Sequence, residues 1–288
     1  MNTPRAIKLF TLSVLCLPLA CAKVRVPNVF GDHMVLQREL PVPVWGWADP
    51  GEKVTVSFAG QSSSAVADAD GKWTLKLAAL SASASPEELC VSGRNTVRFA
   101  DVLVGDVWLG SGQSNMEFAM REVLNAKEEI AGANKPLIRL FTVPRCEKAQ
   151  MEDWIAQTKK ALASGGRVPV APEWPNHPGL EFTGLYRGMI YPLVPFALRG
   201  FVWYQGEWNG GENDIYVKRM QALIGGWRAV WGNPDLPFYY VQLARMPQKD
   251  CLPWQGDGLS PTREAQRKCL SIPHTGMATI FDLEGSQR

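Results

Sequence analysis

Val107-Trp108-Leu109-Gly110-Ser111-Gly112-Gln113-Ser114-Asn115-Met116 is the stretch that decides the fold. Its apolar start reads as a buried strand, its Gly-Ser-Gly centre as a turn, and Met116 to Ile130 as a helix. A strand that turns tightly into a helix is a unit of a parallel sheet. Its loop lies at the carboxyl edge, where open α/β sheets carry their sites. There Ser114 presents a hydroxyl, and the unpaired N–H groups of the first helical turn point at the same spot. A serine nucleophile needs both an exposed oxygen and donors for the oxyanion it generates. Alone the motif is weak, because a serine so placed is more often a plain N-cap.

The same grammar continues on either side. Val102-Leu103-Val104 reads as a buried strand, Ile138 to Phe141 as another, and Ile155 to Ala163 as a helix. Gly200 to Tyr204 is a strand, and Tyr216 to Trp231 a helix with an apolar stripe at Met220, Leu223, Ile224, Trp227 and Val230. Phe238 to Leu243 and Met277 to Phe281 are strands, with a helical stretch around Arg263 to Leu270 between them. Such alternation predicts an α/β domain over residues 101–288, a parallel sheet with helices on both faces. Upstream, from residue 23 to 100, the period is two. Val42 to Trp47, Val54 to Phe58, Lys72 to Leu77 and Asn95 to Phe99 alternate between turns at Asp49-Pro50-Gly51, Ala59-Gly60-Gln61 and Asp68-Ala69-Asp70-Gly71. These predict a small β-sandwich, with Ala78 to Pro86 as a loop.

Composition narrows the function classes. The 288 residues are 46% hydrophobic and 20% charged, with 26 Gly and 21 Pro, which excludes a disordered tail, a coiled coil or a collagen-like rod. A net charge of +2 with no block of like charges argues against nucleic acid or an acidic membrane as partner. Eleven Trp serve core packing in most proteins, but indoles also offer platforms for sugar faces.

Arg5 and Lys8 precede an apolar run from Leu9 to Ala20, and Ala20 and Ala22 are spaced as small residues at a cleavage site. Residues 1–22 are therefore expected to be a secretory signal, and the mature protein periplasmic or secreted, with no membrane span. The alternative, a lipoprotein acylated at Cys21, is disfavoured by Pro18. Export would leave Cys90, Cys146, Cys251 and Cys269. Their wide spacing lacks a Cys-x-x-Cys zinc signature, so disulfides or buried thiols are the candidates.

A second strand end carries chemistry: Trp203-Tyr204-Gln205-Gly206-Glu207-Trp208-Asn209. Gln205 and Asn209 have amides able to donate to an oxyanion, Gly206 permits close backbone approach, and Glu207 can orient a partner or bind a sugar hydroxyl. In isolation this is also an ordinary strand-ending turn.

Taken together, Gly-Gln-Ser-Asn-Met and Trp-Tyr-Gln-Gly-Glu-x-Asn resemble the hallmarks of sialate O-acetylesterase-like carbohydrate esterases, of the SGNH-hydrolase group. Phe30 to Gln37, Val42 to Asp49, Val104 to Trp108, Gly188 to Leu193, Arg263 to Gln266 and Thr275 to Ala278 fit the family's segments in order. The resemblance implies an SGNH-type parallel sheet flanked by helices and preceded by a small β-sandwich. It implies Ser114 as nucleophile, with Gln113, Asn115, Gln205, Gly206, Glu207 and Asn209 lining the oxyanion and substrate site. The implied substrate is an acetylated carbohydrate, with no metal or organic cofactor.

Two departures stand beside the matches. The family's Trp-Gly-Gly turn, which supplies an oxyanion-hole glycine, has no counterpart between Glu147 and Glu181, where Gly165-Gly166 is the only glycine pair. The family's base is a His in an Asp-x-x-His motif beyond a strand like Met277 to Leu283, and no such motif precedes Arg288. Of the three histidines, His33 is expected to be packed in the β-domain, His177 to lie in a surface loop, and His274 to sit at the amino edge of the sheet, opposite Ser114. The expectation is an esterase lacking its last catalytic segment; the rival is a non-catalytic glycan-binding remnant. A serine peptidase is disfavoured, since nothing resembles its base or specificity pocket.

Overall fold

The computed structural model describes residues 23–143, 185–245 and 258–280. The expected leader over residues 1–22, the helix over 155–163, Gly165-Gly166, His177, Cys146 and Cys251 lie outside them.

The amino-terminal part is built from strands β1 (Val35–Gln37), β2 (Val42–Trp47), β3 (Lys53–Phe58), β4 (Gln61–Val66), β5 (Lys72–Leu77), β6 (Ser83–Ser92) and β7 (Thr96–Gly105). Five form one sheet in the order β1-β7-β6-β3-β4, and β2 pairs with β5 as an antiparallel ribbon. Alternation drives the pairing: Val54, Val56 and Phe58 of β3 and Trp73, Leu75 and Leu77 of β5 are buried, with Lys and Thr between them turned outward or half-buried. The Asp68 turn closes as expected, with the Asp68 carboxylate accepting from the N–H groups of Asp70 and Lys72.

Three expectations change here. β4 is a strand that the serine run of residues 62–64 disguises; it lies on the sheet edge, paired with β3. Ser83 to Pro86 is not loop but the irregular start of β6, whose register against β7 shifts twice before Leu89. Val102-Leu103-Val104 belongs to β7 and pairs in parallel with β1, so the change of grammar at Asp101 is a bend inside one strand, where Asp101 takes φ 54.

The second part centres on a four-stranded sheet of order β11-β10-β9-β8, parallel throughout: β8 (Trp108–Gly112), β9 (Gly200–Tyr204), β10 (Phe238–Val241) and β11 (Thr275–Ala278). Helix α1 (Ala126–Gly132) buries no residue. Helix α2 (Asp214–Trp231) buries Tyr216, Met220, Ile224 and Trp227, with Trp227 and Trp231 against Phe201 of β9. Gly232, at φ 67, ends it. Helix α3 (Ser260–Lys268) joins the same layer, since Tyr240 donates to the Gln266 carbonyl at 2.8 Å. The opposite face carries Trp108 and Tyr239, 39% and 46% exposed and stacked at 5.5 Å. Among the described residues, then, the sheet is covered by packed helices on one face, not on both.

The expected helix from Met116 to Ile130 shrinks to a 3-10 turn at Met120–Glu122 and α1. A long helix in water needs an apolar face to bury. Phe118, Met120 and Leu124 remain exposed here. Ile138 to Phe141 likewise forms no strand, and Ile138, Leu140 and Phe141 stay exposed.

The segment Phe30 to Gln37 ties the two parts together. Phe30 packs on Trp45 and on Phe196, at 4.9 and 5.6 Å between rings. The fully buried Gln37 accepts from the Val107 N–H at 2.8 Å, and Arg38 grips Asp106 through Nε and Nη2. One hydrophobic cluster runs from Val24 through both parts to Cys269.

Candidate active site

β8 and β9 are paired in register up to Gly112 and Tyr204, so the loops that follow leave the carboxyl edge side by side. The Gln113 N–H continues the ladder to the Tyr204 carbonyl at 2.9 Å. Gly112 is required there: its φ is 155, and a Cβ would lie 2.0 Å from the Tyr204 oxygen.

Beyond Gly112 the chain makes a turn, with the Met116 N–H on the Gln113 carbonyl and the Glu117 N–H shared between Gln113 and Ser114. No helix begins at Ser114. The exposure expected of it is nonetheless present, and the Ser114 and Asn115 N–H groups make no hydrogen bond among the described residues. The residues flanking Ser114 are both tied across to the second loop. Gln113 Oε1 accepts from Gln205 Nε2 at 3.1 Å and from the Gly206 N–H at 3.4 Å. Asn115 Nδ2 donates to Glu207 Oε1 at 2.6 Å. Ser114 thus stands between two side-chain rungs that hold both loops in fixed relation.

All six residues predicted to accompany Ser114 are brought together, but the Gln205 and Asn209 amides expected to donate to an oxyanion are already engaged. Gln205 Nε2 has two protons and two acceptors, Gln113 Oε1 and Asn209 Oδ1. Asn209 Nδ2 donates to Glu212 Oε2 at 2.9 Å. The donors left open beside the serine include the backbone N–H groups of Ser114 and Asn115.

Behind the loop lies a buried layer that sequence reasoning missed. The Gln205 carbonyl accepts from Tyr216 Oη at 3.0 Å and from Gln266 Nε2 at 3.2 Å. Gln266, fully buried, also donates to the Val241 carbonyl and accepts from the Leu243 N–H. Burial pushes the Tyr216 phenol up to about 12, so it remains a donor at neutral pH. The Thr262 hydroxyl reaches the Asn209 carbonyl at 3.3 Å. Gly206, at φ 153, lets the backbone pass over this layer; a Cβ would meet Leu243 at 3.2 Å. A signal existed in the sequence: Thr262, Ala265, Gln266 and Cys269 share one helical face and are all buried. Polar residues at core-facing positions mark a hydrogen-bonding task.

The described histidines are committed elsewhere. His33 is not packed but exposed in a turn, with Nδ1 on the Asp101 carboxylate, and Arg139 holds the same carboxylate through both Nη atoms. These bonds, Arg139 first, lower the Asp101 carboxyl to about 2. His274 pairs with Asp235 at 3.1 Å just before β11, at the edge opposite Ser114, as expected. Cys90 and Cys269 are free thiols. Among the described residues no group of three or more His, Cys, Asp or Glu is placed to hold a metal ion, and no helix is long and apolar enough to cross a membrane.

A parallel sheet with its serine turn at the carboxyl edge puts the chain in the α/β class, with the candidate site where that class keeps it. Residues 104–287 match the family described as carbohydrate esterase, sialic acid-specific acetylesterase, and the chain belongs to that family. A crystal structure of a carbohydrate acetylesterase from Xanthomonas citri is similar at 31% identity and a TM-score of 0.73, covering 92% of this chain and 70% of that one. Human sialate O-acetylesterase is 27% identical over 343 residues, and the mouse protein 26% over 369, each across 90% of this chain. The chain spans 65% of the length of the human relative.

Proposed function

We propose that this protein is a serine esterase that removes O-acetyl groups from sialic acid or another acetylated carbohydrate, with Ser114 as nucleophile. The observation that carries the reading is the exposed Ser114 hydroxyl, fixed between the Gln113 and Asn115 rungs and flanked by two open backbone N–H donors. In the reaction, Ser114 Oγ adds to the acetyl carbonyl as its proton passes to a base. The Ser114 and Asn115 N–H groups hold the resulting oxyanion, and Gln205 joins them if it releases Gln113 or Asn209. Collapse breaks the bond between the acetyl carbon and the sugar oxygen, and the sugar leaves as a free hydroxyl carrying the proton from the base. Water then cleaves the acetyl-serine to give acetate and restore the hydroxyl. No metal enters this scheme.

The resemblance assigns the base to a histidine of an Asp-x-x-His segment. Neither described histidine bonds Ser114, and this favours a second reading, glycan binding without turnover. Without a base, turnover falls on the order of 10⁴-fold, leaving about 10³ over water from oxyanion donors and binding. Acetate release from O-acetylated sialic acid, measured for the protein and for Ser114→Ala, separates the two. Serine-dependent turnover supports the esterase; identical background rates with retained glycan binding support the second. An organophosphonate is expected to label Ser114, and a label mapped to another serine refutes the assignment. Export to the periplasm or medium after removal of residues 1–22 completes the proposal. N-terminal sequencing of exported protein tests it, and an intact Met1 refutes it.

A further inference from the structure

Between two residues whose side chains are bonded within the site lies one whose side chain is left open to solvent. Glu207–Asn209 forms a single 3-10 turn, closed by the Asn209 N–H on the Gly206 carbonyl at 2.9 Å. Glu207 turns inward to Asn115, and Asn209 to Gln205 and Glu212. Trp208, between them, is 88% exposed. Trp is rarely left so open, and its indole is the largest apolar surface a side chain can present to water.

We propose that Trp208 is a stacking platform for the pyranose ring of the substrate, setting affinity for the sugar while Ser114 acts on its acetyl group; this rests on the esterase or glycan-binding reading of the same site. Trp208 and Ser114 each adjoin one end of the Asn115–Glu207 bond, so the tryptophan and the serine belong to neighbouring loops at the same edge of the sheet. The turn is held by side-chain bonds on both sides of the tryptophan, so binding forfeits little loop freedom. The surroundings select the ligand. Trp208 is flanked by Glu207, Asn209, Gly210 and Gly211, with the Glu212 carboxylate bonded to Asn209. An exposed aromatic ring flanked along its loop by polar residues and glycines suits a ligand with a C–H face and a rim of hydroxyls. A protein partner would need a broader apolar centre.

The test is a binding measurement in Ser114→Ala protein, so that turnover plays no part, with an O-acetylated methyl glycoside of sialic acid titrated by calorimetry. Trp208→Ala is expected to weaken binding about tenfold, the equivalent of uncovering about 50 Å² of apolar ring. Trp208→Phe, which keeps a smaller ring, is expected to weaken it about threefold. Equal affinity in all three proteins overturns the platform while leaving the esterase reading intact, and so does an absence of binding in the Ser114→Ala parent. Binding that depends on Trp208 in a protein whose native form shows no Ser114-dependent turnover keeps the platform and refutes the esterase.

Discussion

Gln266 offers the sharpest test of how the site is held. Replacing it by Leu preserves side-chain bulk but removes one acceptor, for the Leu243 N–H at 2.9 Å, and the donor to the Val241 and Gln205 carbonyls at 3.2 Å each. The Gln205 carbonyl keeps its bond from Tyr216, whereas the buried Leu243 N–H is left without this partner. An orphaned buried donor costs about 1–3 kcal/mol and a lost carbonyl bond about 1 kcal/mol. The added apolar burial returns about 1 kcal/mol, so the net loss is about 1–3 kcal/mol. With an m-value of about 2–3 kcal/mol/M, the urea midpoint falls by about 1 M. Tryptophan fluorescence follows the transition. Gln266→Glu adds an internal check. A carboxylate facing two carbonyls in a buried site has its folded pKa raised, so stability is fully present below the unfolded value of about 4.3 and is lost as pH rises through the folded value. A midpoint shift below about 0.3 M for Gln266→Leu, or no pH dependence for Gln266→Glu, refutes the claim that this side chain carries the layer behind the loop.

Gly112→Ala is expected to lower the urea midpoint far more than Gly206→Ala, because its Cβ meets the Tyr204 backbone oxygen, whereas at Gly206 the obstacles are side-chain ends of Leu243 and Gln266; equal shifts refute the steric account. Burial pushes the Cys269 thiol up to about 11, so a disulfide reagent at pH 8 is expected to modify it only after unfolding, as mass mapping of the native and urea-treated protein would check. The Asp101 carboxyl, lowered by Arg139 and His33, contributes stability that is present above its unfolded pKa and lost as pH falls through about 2. Asp101→Asn is expected to flatten the pH dependence of thermal stability in that acid window and nowhere else; an unchanged profile refutes it.

The parts of the fold legible in the sequence are those where burial and period coincide. Gly200 to Tyr204 and the helix ending at Trp231 were placed because their apolar spacing matches the face they bury. β4 escaped because an edge strand with both faces wet needs no apolar alternation, and Gln61 to Val66 has almost none. The opposite error arose at Met116 to Ile130, where apolar spacing suggested a helix but supplied no described surface to pack on. For the site, residue types were legible and their bonding was not. Gln205 reads as a free donor in sequence, yet Gln113 and Asn209 lie 92 and 4 positions away along the chain and take both its protons. Gln266 is legible only as a polar residue on the face that also carries Ala265 and Cys269; which carbonyls it serves depends on the strand and loop packed against that face.

The parallel pairing of β8 with β9 also fixes when the site comes into being as the chain folds. Residues that meet across that pair are 92 positions apart, while β3 and β4 meet through the Ala59-Gly60 turn. Closing the longer loop costs about 3 kcal/mol more in chain entropy, so local hairpins of the amino-terminal sheet organise first and the β8–β9 pair follows. Ser114 therefore acquires its neighbours late. Until then, the serine turn and the amide loop are two unrelated segments on a partly folded chain, and nothing short of the native topology can bring the candidate site together from them.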